Sequence, residues 1–136
     1  MRKITHIVVH CTATPHNTEP KSIMMYWRHK LGWKSPGYHY LIDAAGQIHN
    51  LHPVDLPSNG VAGHNANSVH VSYIGGIDAK GKALDNRTLA QKASLLLLLR
   101  KLRKDFPEAV ICGHRDFPGV KKDCPSYNAR IEYKDL

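Results

Sequence analysis

The segment Ile4–His10 places the tightest limit on the fold. It is rich in Ile and Val and does not alternate polar with apolar residues, the pattern of a strand buried on both faces. A strand of that kind needs cover from two sides, which helices packed on a sheet supply. The rest of the chain fits that demand. From Pro20 to Leu31 the apolar residues Ile23, Met24, Trp27 and Leu31 fall at helical spacing, with Pro20 suited to a first turn and Gly32 ending the helix. Gly37–Ile42 and Gln47–Leu51 read as two strands joined by the turn Ala44-Ala45-Gly46. Asp55–Asn67 is loop, and Val69–Ile74 is a strand stopped by Gly75-Gly76. Thr88 to Asp105 predicts the longest helix: Thr88 and Gln91 form a capping-box pattern, Leu89, Leu96, Leu99 and Phe106 mark an apolar face, and Pro107 stops it. Ala109–Cys112 predicts a last strand, followed by a loop over 113–128. The expectation is α/β, a central mixed β-sheet flanked by helices, in one domain spanning 1–136.

Charge and cysteine usage narrow the partners. Nineteen Lys and Arg against eleven Asp and Glu give +8, which favours polyanions such as nucleic acid, acidic lipid or an anionic cell wall without choosing among them. Cys11, Cys112 and Cys124 are odd in number and lack a disulfide-framework spacing, which points to free thiols. The longest uniform apolar run, Leu95–Leu99, falls far short of the ~20 residues of a membrane span. No secretion signal is evident at Met1-Arg2-Lys3, because the apolar stretch behind it is broken by Thr5 and His6. Synthesis in the cytoplasm is therefore expected.

Of the ten histidines, His10 and His114 stand apart because each sits where a predicted strand ends, the place where chemistry gathers in open α/β sheets. With Cys124 they make a donor set that zinc prefers, and three protein ligands leave a position open, as catalytic sites do. The spacing is not a compact ligand box. On residue type alone, a buried structural histidine and an ordinary cysteine are the plainer reading.

Five segments in one order change that weighting: Val9-His10-Cys11-Thr12-Ala13-Thr14; Gly32-Trp33 followed by Gly37-Tyr38-His39-Tyr40; Gly63-His64-Asn65 with Asn67-Ser68; Ile74-Gly75-Gly76-Ile77-Asp78; and His114 through Lys122-Asp123-Cys124-Pro125-Ser126. Together they resemble the type-2 N-acetylmuramoyl-L-alanine amidases, above all the T7 lysozyme-like phage amidases, which share a fold with animal peptidoglycan recognition proteins. The resemblance covers about His6 to Ser126. It implies one zinc ion per chain held by His10, His114 and Cys124, with Tyr38 and Lys122 as catalytic partners. His64 and Asn65 are expected to contact the substrate, peptidoglycan, while His39 fits a substrate contact, a support behind a ligand or a packing residue. The implied reaction hydrolyses the amide between N-acetylmuramic acid and L-alanine. Zinc would acidify water and polarise the carbonyl, the Lys122 ammonium would stabilise the oxyanion, and Tyr38 would hydrogen-bond or pass a proton. Arg115 and Asp116 fit either a pair that orients a ligand histidine or a surface ion pair. His70 stands where the T7-like pattern favours a small residue, which leaves a packing change or a cleft residue open.

A phage or prophage endolysin, monomeric and acting on the wall after release, is the function this implies. Two rivals differ in class. Some proteins of the fold bind peptidoglycan without cutting it, typically where the ligand cysteine is replaced; Cys124 is present here. A nucleic-acid binder would suit the charge, but the basic residues are dispersed apart from Arg100–Lys104 and carry no recognition motif. No nucleic acid or membrane partner is expected.

Overall fold

In the computed structural model, which describes residues 2–136, β1 (His6–Cys11) is the second strand from one edge of a five-stranded sheet ordered β3-β2-β4-β1-β5. The remaining strands are β2 (Tyr40–Ile42), β3 (Ile48–Asn50), β4 (Ser68–Tyr73) and β5 (Val110–Gly113). β1 pairs parallel with β4 and with β5, β2 pairs parallel with β4, and only β3 runs antiparallel, on β2. The sheet is therefore mixed, as expected. β1 and β4 are almost entirely buried; β1 lacks polar alternation for that reason, whereas β4 alternates Ser68, His70 and Ser72 with Val69, Val71 and Tyr73 although all six are buried.

Because side chains alternate across a strand, β1 and β4 divide their residues between two faces. Ile7, Val9, Val69, Val71 and Tyr73 pack with Leu95, Leu98, Leu99 and Leu102 of helix α2 (Leu89–Asp105). Val8 packs on the other face with Cys112, Val61 and Phe117. Helix α1 (Pro20–Met25) continues into a π-helical turn over Tyr26–Lys30. Ile23 and Trp27 from this segment pack on Leu41 and Ile74.

α2 begins as predicted. Thr88 Oγ1 accepts the Gln91 N–H and Gln91 Oε1 accepts the Thr88 N–H, each at 3.0 Å. The predicted apolar face is corrected. Gln91, Leu95, Leu98, Leu99 and Leu102 form the buried stripe, while Leu89 is 84% exposed. Leu89 lies two residues before Gln91, about 200° around the helix and off the stripe. Buried Gln91 earns its place by donating to the carbonyls of Ile42 and Ile74, which ties α2 to the ends of β2 and β4.

The strand predicted over Gly37–Ile42 begins only at Tyr40. Before that point the chain is engaged by the neighbouring loop, where the Ser58 hydroxyl donates to the Gly37 carbonyl at 3.1 Å. A short helix α3 (Ala129–Glu132), capped by Asn128, was not legible in the sequence. It is anchored through Arg87, whose guanidinium bonds Asp85 at 2.8 Å and Glu132 at 2.8 Å and lies 3.4 Å from the Tyr127 ring centroid.

Arg87→Met should cost roughly 2–4 kcal/mol at neutral pH, because it strands two carboxylates beside an apolar ring; their partial exposure keeps the loss below that of a fully buried pair. The Arg87 guanidinium holds the carboxyls of Asp85 and Glu132 below their ordinary values. Their contribution is therefore complete above about pH 5, beyond the unfolded-state values of both carboxyls, and is lost as pH falls through the lowered values. Urea unfolding of both proteins at pH 7 and pH 3 should show the difference shrinking in acid.

Candidate metal centre and cleft

Three parallel strands end at the same edge of the sheet, and the site is built there. His10 is the second-last residue of β1, and His114 opens a 3₁₀ turn directly after β5. The loop carrying Cys124 is fastened to both strands. Arg115 N–H donates to the Cys124 carbonyl at 2.9 Å, and Cys11 N–H donates to Cys124 Sγ at 3.2 Å. The Tyr73 hydroxyl donates to the Pro125 carbonyl at 2.7 Å, and the Ser126 hydroxyl to the Gly76 carbonyl at 2.8 Å. Gly76 has φ +95°, and a Cβ there would stand 2.5 Å from Cys11 Sγ, so glycine is needed where this loop closes on β1.

The result is a cluster in which one donor atom each from His10, His114 and Cys124 lies within 4.8 Å of the others. His10 Nδ1 stands 3.8 Å from Cys124 Sγ. Burial, with His70, His114 and Lys122 nearby, pushes His10 well below its ordinary pKa; burial and Lys122 also lower His114. Both imidazoles are therefore neutral, the form that ligates metal. The Cys11 thiol and burial raise the Cys124 thiol, a direction that a bound divalent cation would reverse. Two neutral imidazoles and a thiol are the nitrogen and sulfur donors that suit zinc. The donors face a cleft of about 740 Å³, which leaves one side of the cluster open.

Tyr38 and Lys122 also line this cleft. The Tyr38 ring centroid is 5.0 Å from that of His10, and its hydroxyl donates to the Cys11 carbonyl at 3.4 Å. Burial and the neighbouring Cys124 raise its pKa beyond the ordinary phenol range, so the hydroxyl keeps its proton. Lys122 is exposed at the rim. Trp27 and Trp33, stacked with centroids 6.4 Å apart, supply an aromatic wall.

The expected substrate contacts are only partly gathered. His39 does not reach the cleft. It is fully buried beneath the loop of Leu56 and Ser58, accepting the His70 N–H through Nδ1 at 3.0 Å and donating through Nε2 to the Leu56 carbonyl at 2.8 Å. His64 is exposed and packs on Phe117 with centroids 4.5 Å apart, outside the residues lining the cleft. Asn65 lines an adjoining groove beside His114, but its amide oxygen is occupied by Val61 N–H and His70. Among the described residues Asp116 makes no ion pair with Arg115; it accepts the Gly113 N–H at 2.7 Å and shapes the turn that presents His114.

A sequence profile of the N-acetylmuramoyl-L-alanine amidases matches residues 1–127. The chain belongs to that family. The amidase is 35% identical over 128 residues to an endolysin of Enterobacteria phage K11, covering 93% of this chain and 83% of that protein. Among solved structures it is similar to the N-acetylmuramoyl-L-alanine amidase LysC from Clostridium intestinale, with TM-score 0.80 and 25% identity over 96% of this chain and 82% of that one. Bumblebee PGRP-SA has the same fold, with TM-score 0.80 at 16% identity over 100% of this chain and 83% of that one. The family and the fold expected from the motifs are thus both borne out. The chain is an enzyme, an amidase of the bond that joins peptidoglycan's glycan to its peptide.

His39 generates a prediction about stability rather than substrate. Burial, with Arg2 and His52 nearby, lowers its pKa from 6.5 to about 4. As pH falls below 6.5 the unfolded chain takes up this proton and the folded chain does not. Its contribution is complete above that pH and declines toward pH 4 by about 1.4 kcal/mol per unit. Denaturant unfolding at pH 7, 6 and 5 should show a steeper acid loss for the wild type than for His39→Asn.

Proposed function

We propose that the amidase hydrolyses the N-acetylmuramoyl–L-alanine bond in a zinc-dependent reaction, with one ion held by His10, His114 and Cys124, and that it serves as a phage or prophage endolysin. The observation that carries the metal assignment is the cluster itself: two neutral imidazoles and a thiol within 4.8 Å of one another on the wall of an open cleft. A zinc ion in that position supplies Lewis acidity to the scissile carbonyl and acidifies water.

The chain's own residues do the rest. The cleft walls at Trp27 and Trp33 present flat apolar faces to a sugar or stem peptide and exclude water from the reacting bond. Lys122 brings a cation to the rim nearest His114 and Cys124, suited to the negative charge that develops on the carbonyl oxygen. Tyr38 holds its proton throughout the working pH range and so acts as a donor, able to steady the oxyanion or the departing amine. All seven of these residues line one cleft of a single chain, so the site is complete without a second copy, in keeping with a monomer as the working unit. The likeness to a phage endolysin supports action on the wall after release, and no described helix is long and apolar enough to cross a membrane.

The test joins metal to product. Purified protein should carry about one zinc per chain and release from peptidoglycan stem peptides with a free L-alanine amino terminus, detected by mass spectrometry. Cys124→Ala should lose both. Lys122→Ala and Tyr38→Phe should keep the zinc and lower kcat about 10²–10³-fold. Full activity in a metal-free protein would overturn the zinc assignment, and full activity in Lys122→Ala would remove that residue from the mechanism.

A further inference from the structure

His10 has two ring nitrogens, and only the one that lacks a proton can bind a metal. A chain of contacts behind it decides which one that is. Asn65 Oδ1 lies 2.8 Å from the backbone N–H of Val61. A backbone N–H can only donate, so the Asn65 amide must turn its oxygen to that spot. The same oxygen lies 2.8 Å from His70 Nε2, which must then carry a hydrogen. His70 is fully buried with no acidic side chain in contact, so a second ring hydrogen would leave an unpaired charge in the interior. Its Nδ1 is therefore a bare acceptor, and it stands 2.9 Å from His10 Nε2. His10 must donate there, which leaves Nδ1 bare, and Nδ1 is the nitrogen that faces Cys124 Sγ.

We propose that Asn65 and His70 are positioning residues that lock His10 in the tautomer offering Nδ1 to the metal. This rests on the zinc reading above and adds residues that act through the ligand. Sheet register makes the relay possible: His70 pairs with Val8, one pleat behind His10, so both rings project from the same face. His39 clamps the second ring. Its Nδ1 accepts the backbone N–H of His70, and its ring stacks on the imidazole with an interplanar angle of 8° and centroids 6.0 Å apart. Gly60 leaves room for it, since a Cβ at that position would stand 2.3 Å from His70 Nδ1. The contribution is to affinity and geometry. A ligand histidine whose other nitrogen donates to a fixed acceptor is prepaid in orientation, and losing such a partner typically costs 10–100-fold in metal affinity.

Two measurements test it. Long-range proton–nitrogen spectra of the wild-type imidazoles, metal-free and zinc-loaded, should show His10 and His70 both protonated on Nε2. Zinc affinity from chelator competition should then fall 10–100-fold in His70→Phe, which keeps ring volume but has no acceptor, while His70→Gln, which can turn an amide oxygen toward His10, should restore most of it. His10 protonated on Nδ1 in the wild-type protein overturns the relay without any variant being made. Unchanged zinc affinity in His70→Phe also overturns it and leaves the zinc reading intact. A wild-type chain that binds no zinc at all removes the zinc reading instead, and the spectra still report whether the tautomer is locked.

Discussion

The parallel pairing of β1 with β4 on one side and β5 on the other is the constraint on which the site depends. Parallel strands bring their carboxyl ends to one edge of the sheet, and here that edge receives His10, the Tyr73–Gly76 bend and His114 together. No loop has to be long or ordered by itself to bring the two histidines close, because the ladder has already done so. The ring centroids of His10 and His114 are 4.9 Å apart although the residues are separated by most of the chain. What remains is to bring in the cysteine, and four hydrogen bonds around Cys124–Ser126 fasten its loop to β1, β4 and the start of the β5 turn.

The same burial that makes β1 central also sets the chemistry of its histidine. An imidazole at 1% exposure has little means of holding a proton, so it is presented as a neutral donor. Tyr38 is kept protonated by the same desolvation with Cys124 beside it, while Lys122 stands exposed at the rim. One cleft thus holds a neutral ligand, a phenol that keeps its proton and an exposed lysine, set apart chiefly by their depth.

Much of this was legible in the sequence because it lies in local patterns. The doubly buried strand, the Thr88–Gln91 capping box and the motif register around His10, Tyr38, His114, Lys122 and Cys124 all depend on residues close in the chain, or on an order of segments that family likeness preserves. The misreadings have a different origin. Leu89 looked like part of the apolar face because leucine is apolar, yet the stripe is set by the position of Gln91, whose role rests on two carbonyls from distant strands. His39 shares a motif with Tyr38, but the loop of Leu56 and Ser58 folds over it, a tertiary event that spacing does not record. His70 was visible as an oddity, and only the β1–β4 register shows what it touches.

The pairing of Gly60 with His70 also bears on how such a site could have arisen. An imidazole at 70 and any side chain at 60 compete for the same space, whereas glycine at 60 is compatible with a small residue at 70. A lineage that began with a side chain at 60 therefore had only one passable order of change: position 60 emptied first, and the histidine entered afterwards. Reversal meets the same gate from the other side, because restoring a side chain at 60 is blocked until the histidine has gone. The two positions are thus coupled by sterics alone, each deciding the order in which the other can change.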